Sequence, residues 1–272
     1  MSFSEKVALV TGSSRGIGRA IALHFARAGA DVVVNYRVPG GSSARQAAEL
    51  CKEIHDLGRR ALAVRADISD REAVRALFQK TAEELGRLDF LVLNAARAPF
   101  KPYERLLQRD LRQLVDTNFV GNISCIRESL PLLETSSGKV VFISSLGSRF
   151  ATPSYPLGSM KAAMEAVVRD CAESLRGRGV AVNAVCGGIV RTDSFKVLRQ
   201  VWDGLDRLSR IFFLDEPAGV TGGSRCFSMH DIDLGCRSAQ RKGIVVVRCG
   251  AAQNIMRCRS AFPQHDQHHR QL

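Results

Sequence analysis

A glycine-rich run near the start of the sequence has the residue types that bind the phosphates of a dinucleotide. Gly12, Gly16 and Gly18 follow an apolar segment, Val7 to Val10, and precede a helix-like stretch, Arg19 to Ala28. Glycines at these positions let the backbone turn tightly and approach a pyrophosphate. The amide groups at the N-terminus of the following helix then face its negative charge. The run predicts a dinucleotide site in a strand–turn–helix unit.

Six short apolar runs in the first 190 residues have the length of β-strands. They are almost continuously apolar, as strands buried on both faces must be, and that condition is met mainly in parallel sheets. The runs are Val7 to Val10, Val32 to Val34, Ala61 to Val64, Phe90 to Leu93, Val140 to Ile143 and Val180 to Val185. A seventh run, Ile244 to Val247, is a candidate for a closing strand.

Helix-length segments separate these runs. In the segment Asp70 to Gly86, the side chains of Val74, Leu77, Phe78 and Leu85 recur at helical spacing and form one apolar stripe. Alternating strands and helices predict an α/β fold with an open, doubly wound parallel sheet (a Rossmann fold), whose ligand crevice lies beyond the carboxyl ends of the strands. We predict one domain over residues 1–216 and an atypical segment over residues 217–272, which holds the last helix and strand of that domain plus a disordered tail.

The composition narrows the class of protein. The 272 residues are 45% hydrophobic and 24% charged, which is typical of a globular chain. The formal net charge of +12 suits an acidic partner, a phosphorylated cofactor or nucleic acid. The arginines are dispersed along helices without interleaved aromatic residues, so we expect no nucleic-acid partner.

Apolar runs of about five residues are too short to span a bilayer, which needs roughly twenty, so we expect no membrane partner. The first residues, Met1 to Lys6, do not read as a secretory signal, and we expect a cytoplasmic protein. Four of the cysteines, Cys51, Cys125, Cys171 and Cys186, lie inside apolar patterns and are interpreted as small core residues rather than a disulfide framework.

Taken together, these motifs resemble the short-chain dehydrogenase/reductase family. The family's glycine motif, T-G-x-x-x-G-x-G, is matched at every fixed position from Thr11 to Gly18. The resemblance covers about residues 5–200 and continues through Asp67-Ile68, Leu93-Asn94-Ala95-Ala96, Asn118, Ile143-Ser144-Ser145, Lys161-Ala162-Ala163 and Val182-Asn183-Ala184-Val185. It implies cofactor contacts by Gly12, Ser14, Arg15, Gly16, Ile17, Gly18, Arg37, Asp67, Ile68, Asn94, Ala95, Lys161, Gly188, Ile189 and Thr192.

The choice of cofactor follows from charge. In folds that bind the non-phosphorylated dinucleotide, an acidic side chain at the end of the second strand accepts hydrogen bonds from the adenosine ribose. Here that strand ends in Asn35-Tyr36-Arg37, with no acid. The guanidinium groups of Arg37 and Arg15 are suited to a 2′-phosphate. The sequence therefore predicts NADPH.

The family resemblance also implies a catalytic set of Asn118, Ser145, Tyr155 and Lys161. In the family, a tyrosine exchanges a proton with the substrate oxygen, and a lysine lowers the pKa of that tyrosine and binds the nicotinamide ribose. A serine orients the carbonyl, and an asparagine holds a water molecule in a proton relay. A free tyrosine has a pKa near 10, so a positive neighbour helps it act at neutral pH.

The tyrosine–lysine spacing departs from the usual Y-x-x-x-K. Leu157 stands four residues before Lys161, and Tyr155 stands six before it. Pro156 disfavours helical geometry at the preceding residue, so the helix is expected to begin after Tyr155. The tyrosine can then reach the site from the loop, or it has no catalytic role.

A wider spacing marks the enoyl-thioester reductases of this family, including the type III enoyl-acyl carrier protein reductases, which have one residue more between the two. Ser144 to Arg149, the ten-residue step from Ser145 to Tyr155, and Asn183 to Gly188 also resemble that subgroup. The resemblance implies NADPH-dependent reduction of a trans-2-enoyl thioester on acyl carrier protein or coenzyme A, as in fatty acid or polyketide biosynthesis. Reduction of a 3-oxoacyl thioester, and a catalytically impaired NADP-binding protein, remain alternatives. The family's habit implies a homodimer or homotetramer formed through the helices at Asn118 and Lys161.

The end of the chain differs from the rest. Half of the cysteines and most of the histidines fall after residue 216, and helical periodicity stops near Ala218, so a departure from the ancestral reading frame is the simplest reading. A native substrate lid is the alternative. The set Cys226, His230, Cys236 and Cys249 has no spacing typical of a zinc site, so we expect no metal.

Overall fold

The computed structural model describes residues 2–149, 154–187 and 190, together with the backbone of the strand Val245–Val247. The described residues do not include three of the cofactor candidates, Gly188, Ile189 and Thr192. Apart from Val245–Val247, they also do not include the predicted segment 217–272 with its cysteines and histidines.

The strands form one sheet in the order β3-β2-β1-β4-β5-β6-β7. Six strands run parallel: β1 (Val7–Val10), β2 (Asp31–Tyr36), β3 (Ala61–Arg65), β4 (Phe90–Leu93), β5 (Lys139–Ser145) and β6 (Ala181–Gly187). The short β7 (Val245–Val247) pairs antiparallel with β6, in the run proposed as a closing strand. The predicted doubly wound fold is confirmed.

In the described residues, six α-helices connect and cover the strands. They are α1 (Gly16–Arg27), α2 (Gly41–Asp56), α3 (Arg71–Leu85), α4 (Gln108–Val115), α5 (Gly121–Ser136) and α6 (Leu157–Ser174). Helix α3 has the predicted ends: the Asp70 carboxylate accepts hydrogen bonds from the amides of Glu72 and Ala73, and Gly86 closes it in the left-handed conformation. Helix α1 begins earlier than predicted, at Gly16, because the last part of the glycine turn is already helical.

The core has two layers because successive residues of each strand face opposite sides of the sheet. Val7 and Leu9 of β1 pack with residues of α3, α5 and α6, while Ala8 and Val10 pack with α1 and α2. Both layers are apolar, which explains why the strands read as continuous apolar runs. Because these strands run parallel, the carboxyl ends of β1, β2, β4, β5 and β6 lie along one edge of the sheet.

Candidate functional site

The glycine turn lies at the carboxyl end of β1, between the ends of β2 and β4. Gly12 and Gly16 have φ of 62° and 57°, which favour glycine. A side-chain carbon at Gly18 would lie 2.5 Å from Asn94 Nδ2 and 2.6 Å from the Gly12 carbonyl oxygen, so only glycine fits. The motif is thus required by the fold of the turn itself.

Side chains from the neighbouring strands hold this turn in place. The Asn94 side-chain amide donates to the carbonyl oxygens of Thr11 and Gly12, at 2.9 and 3.1 Å. Asn35 Oδ1 accepts a hydrogen bond from the backbone N–H of Gly12 at 3.0 Å, and the backbone N–H of Asn35 donates to Ser13 Oγ at 3.0 Å. Sequence reasoning assigned Asn94 to the cofactor and passed over Asn35, although a polar residue inside an apolar strand was the available signal.

The turn fits a dinucleotide pyrophosphate. Within the described residues, no side chain caps the N-terminus of α1, and the first turn of α1 holds no acidic residue. Its amide groups are therefore not covered by a competing carboxylate and can receive a phosphate. Ser14 is buried, whereas Arg15, directly before α1, is exposed. Ile17 packs against the core layer formed by α1 and α2.

Charged side chains gather where β2, β3 and β4 end. Arg37 Nη1 lies 3.7 Å from Asp67 Oδ2, and Asp67 Oδ1 also accepts from the Ser69 amide and hydroxyl. Arg97 was not predicted; burial and the Arg37 guanidinium lower its pKa, while Asp67 acts in the opposite direction. Two guanidinium groups therefore repel each other at this edge, with one carboxylate between them.

Asp67 and Ile68, which the family resemblance implied as cofactor contacts, have structural partners in this structure. Asp67 is occupied by Arg37 and Ser69, and Ile68 is buried in the core. The Ile68 carbonyl oxygen would be 2.5 Å from a side-chain carbon at Gly121, so α5 begins in close contact with this segment. The segment after β3 thus contacts the start of α5 and also borders the edge of the sheet that carries the glycine turn.

Asn118 lies in a π-helical turn, Asp116–Val120, between α4 and α5. Its Oδ1 accepts from the Arg97 amide at 3.0 Å, and its Nδ2 donates to the carbonyl oxygens of Arg97 and Leu114. The Asn118 carbonyl oxygen accepts from Asn122 Nδ2 at 2.8 Å. The Asn118 side chain therefore fixes the chain around Arg97, and its role in holding a water molecule stays a prediction.

Lys161 is buried in α6, with 5% of its surface exposed. Its Nζ donates to the Ile143 carbonyl oxygen at 2.6 Å and lies 4.6 Å from the centre of the Phe142 ring. Burial lowers its pKa to about 8, although electrostatic interactions with Cys186 and Glu165 act to raise it. An ammonium group has three hydrogens, so donors remain for a ribose hydroxyl.

Tyr155 lies in the turn before α6, which begins at Leu157 as the position of Pro156 predicted. Its ring stacks on Phe100, with 4.9 Å between centroids and 10° between planes. Burial raises the pKa of Tyr155. This shift is opposite in direction to the lowering that the family resemblance implied. Leu157, at the usual tyrosine position, is buried.

Ser145 ends β5 and begins the short turn Leu146–Ser148. Ser148 Oγ bonds to the Ser145 carbonyl oxygen at 2.9 Å. A side-chain carbon at Gly158 would overlap the Gly147 carbonyl oxygen, so this turn packs directly on the first turn of α6. The strand end that carries Ser145 and the helix that carries Lys161 are thus in contact.

The described residues contain no group of three or more histidine, cysteine or acidic side chains that could hold a metal ion. None of the described helices is both long and apolar enough to cross a membrane.

Comparisons with known proteins place this site in a family. Residues 6–201 match the family model for short chain dehydrogenases. The chain is 39% identical over 198 residues to 1-cyclohexenylcarbonyl-CoA reductase of Streptomyces collinus, covering 72% of this chain and 69% of the relative. It is 34% identical over 197 residues to a hydroxynaphthalene reductase of Aspergillus fumigatus, covering 72% and 70%.

Solved structures agree. A short chain dehydrogenase from Burkholderia cenocepacia in complex with NADP superposes with a TM-score of 0.67 and 35% identity, covering 71% of this chain and 78% of that one. The chain is an oxidoreductase and belongs to the short chain dehydrogenase family.

Proposed function

We propose that this enzyme reduces the 2,3 double bond of an enoyl thioester with NADPH. The observation that carries the proposal is the position of the half-buried Tyr155 in the turn before α6, with Leu157 in the usual tyrosine position. A tyrosine that keeps its proton is suited to donate a hydrogen bond to an oxygen that becomes negative during the reaction.

NADPH is the proposed cofactor because positive charge is concentrated at the adenosine end. Arg37 and Arg97 repel each other there, and a 2′-phosphate would relieve this repulsion. The NADP complex of the Burkholderia relative, which is 35% identical, supports this choice. When bound, NADPH supplies the hydride that adds to the β-carbon of the enoyl group. A proton from solvent then adds to the α-carbon of the resulting enolate, which gives the saturated thioester.

The chain's own residues then stabilise the charge that develops on the thioester oxygen. Tyr155 donates its hydroxyl hydrogen toward that oxygen, and the Lys161 ammonium supplies positive charge near the ribose. Phe100 covers one face of the Tyr155 ring and limits its movement. Ser145 lies at the carboxyl end of β5, directly before the turn Leu146–Ser148.

The substrate class is supported by the 39% identical relative, whose name specifies a cyclic enoyl-CoA. The net charge of +12 suits the phosphates of coenzyme A or an acidic carrier protein. The second candidate, 3-oxoacyl reduction, is supported by the hydroxynaphthalene reductases among the relatives, because their name specifies a hydroxylated ring and not an enoyl thioester. In that reaction Ser145 and Tyr155 would polarise a ketone.

The experiment compares crotonyl-CoA with acetoacetyl-CoA at equal concentration, with NADPH oxidation and product mass as readouts. Enoyl reduction predicts a higher kcat/KM for crotonyl-CoA and butyryl-CoA as product. A higher kcat/KM for acetoacetyl-CoA would establish the second candidate. Cofactor binding without turnover of either substrate would support the catalytically impaired alternative.

We further propose that a second copy of this chain covers an apolar stripe on α4 and the π-helical turn. Leu107, Leu111, Val115 and Val120 are each at least 38% exposed, and the first three recur at helical spacing. Leu111→Glu should therefore yield monomers in size-exclusion chromatography with light scattering. An unchanged mass for this variant, or a monomeric wild type, would overturn the proposed self-association.

A further inference from the structure

Glu165 is a buried carboxylate that the proposed chemistry does not use. It lies one helical turn after Lys161 in α6 and is 8% exposed. Its Oε1 accepts from Ser144 Oγ at 2.5 Å and bonds to Ser148 Oγ at 2.8 Å. A buried carboxylate is costly unless hydrogen bonds compensate for lost water, so these two serines make its burial possible.

The partners of Glu165 and Lys161 are consecutive positions in the chain. Lys161 Nζ holds the Ile143 carbonyl, and Glu165 holds the Ser144 hydroxyl. Ser148, the second partner of Glu165, also bonds to the Ser145 carbonyl oxygen at 2.9 Å. One helical face therefore fixes three successive residues of β5, the last of which is the candidate catalytic serine.

Glu165 also faces the buried ammonium group. Its negative charge raises the pKa of Lys161, against the larger effect of burial, which lowers it. The other groups that face Lys161 are Cys186 on β6 and the Phe142 ring on β5. Burial and Glu165 raise the pKa of Cys186 to about 11, with Arg149 acting in the opposite direction. Cys186 is thus a neutral thiol at pH 8, which leaves Glu165 as the nearby carboxylate among the described residues.

We propose that Glu165 is a positioning residue for the reaction, which fixes the serine-bearing end of β5 and keeps the Lys161 ammonium charged. The inference rests on the proposed function, because it assigns Glu165 to the support of Ser145 and Lys161. Glu165 acts through these two residues and does not touch the substrate.

The charge effect is tested without any substrate. The free energy of unfolding is measured from pH 6 to pH 10.5 for wild type, Lys161→Met, Glu165→Gln and the double variant. The difference made by Lys161→Met reports the titration of Lys161 in each background. We expect it near pH 8 in wild type and about one pH unit lower with Glu165→Gln. An unchanged titration would overturn the charge effect.

The consequence for catalysis is measured next. With a pKa lowered by about one unit, the charged fraction of Lys161 falls about fivefold at pH 8 and little at pH 6, so kcat of Glu165→Gln should show that pH dependence. Glu173→Gln, on the exposed end of the same helix, is the matched control and should change neither kcat nor the titration.

Ser148→Ala separates positioning from charge because it keeps the carboxylate. We expect a kcat at least threefold lower at every pH, with the Lys161 titration unchanged. Ser144→Ala and Ser148→Ala stay informative where Glu165→Gln does not fold, and full activity of both would overturn the positioning role. Inactivity of wild type on thioesters would overturn the proposed function instead, while the unfolding experiment would still measure the Lys161 titration.

Discussion

The Lys161 ammonium group donates a hydrogen bond to the Ile143 carbonyl oxygen at 2.6 Å, two residues before Ser145. The lysine side chain therefore crosses the interface between α6 and β5 rather than lying at the protein surface. This places a cation in the interior, where burial lowers its pKa to about 8. Lys161 thus joins α6 to β5 and supplies positive charge beside the strand end that carries Ser145.

Burial of this cation predicts a pH-dependent stability. The folded-state pKa of about 8 is below the ordinary 10.5, so the folded protein binds fewer protons than the unfolded chain between those values. Stability should rise with pH across that window, and the cost of the buried charge is fully present below it. At about 1.4 kcal/mol per pKa unit, that cost is about 3 kcal/mol.

Lys161→Met should accordingly be more stable than wild type at pH 7, by up to about 3 kcal/mol less the value of the lost hydrogen bond. The advantage should disappear by about pH 10.5, the ordinary lysine pKa. Urea unfolding at several pH values measures it. A difference that stays constant with pH would show that Lys161 does not titrate in this range.

Reversing the charge at Arg37 should change cofactor preference. Wild type is expected to bind NADPH more tightly than NADH, and Arg37→Asp should weaken NADPH binding at least about tenfold, since a charge-assisted hydrogen bond contributes about 1.5–3 kcal/mol. Nicotinamide fluorescence measures both dissociation constants. Arg75→Asp on the exposed face of α3 makes the same charge change and should have little effect. Equal affinity of wild type for the two cofactors would contradict the assignment.

Removal of the Tyr155 hydroxyl tests its role as hydrogen-bond donor. Lys161→Ala should lower kcat more than Tyr155→Phe, because Lys161 contributes both to cofactor binding and to charge stabilisation. Tyr103→Phe is the control, since Tyr103 is exposed and its hydroxyl bonds to Ser159. If Tyr155→Phe retains full turnover, the tyrosine has no catalytic role and Ser145 becomes the candidate donor.

The close contact at Gly18 predicts a steric effect on cofactor binding. Gly18→Ala would place a carbon 2.5 Å from Asn94 Nδ2, so the turn must shift and its amide groups move away from the pyrophosphate. NADPH affinity should fall at least about tenfold, as expected for loss of well-placed hydrogen bonds to a charged group. Gly177→Ala is the matched control, because a carbon there meets nothing within 4 Å. Equal affinities would show that the turn tolerates the side chain.

The sheet could be predicted because each strand is buried on both faces and therefore reads as a continuous apolar run. The ends were less certain: β5 extends to Ser145 and β6 to Gly187, since backbone pairing continues into polar residues. Pro156 correctly marked the start of α6, because a local steric rule decides it.

The site was predicted less completely, since residue types do not reveal which partner a polar group takes. Asn118 and Asn94 were assigned from the family, yet their amides bind the chain itself. The roles of Arg97 and Glu165 depend on contacts between elements that are distant in sequence, so only the structure identified them. The raised pKa of Tyr155 depends on burial beside Phe100, which no local pattern encodes.

The central claim is hydride addition to an enoyl thioester, and isotope transfer tests it most directly. Crotonyl-CoA and, in parallel samples, acetoacetyl-CoA are incubated with NADPH carrying deuterium at C4 of the nicotinamide, on one face or the other, and the products are analysed by mass spectrometry and NMR. Our account predicts butyryl-CoA with one deuterium at the β-carbon from one of the two labelled cofactors. Unchanged crotonyl-CoA, with deuterium found instead in the 3-hydroxybutyryl-CoA formed from acetoacetyl-CoA, would contradict it.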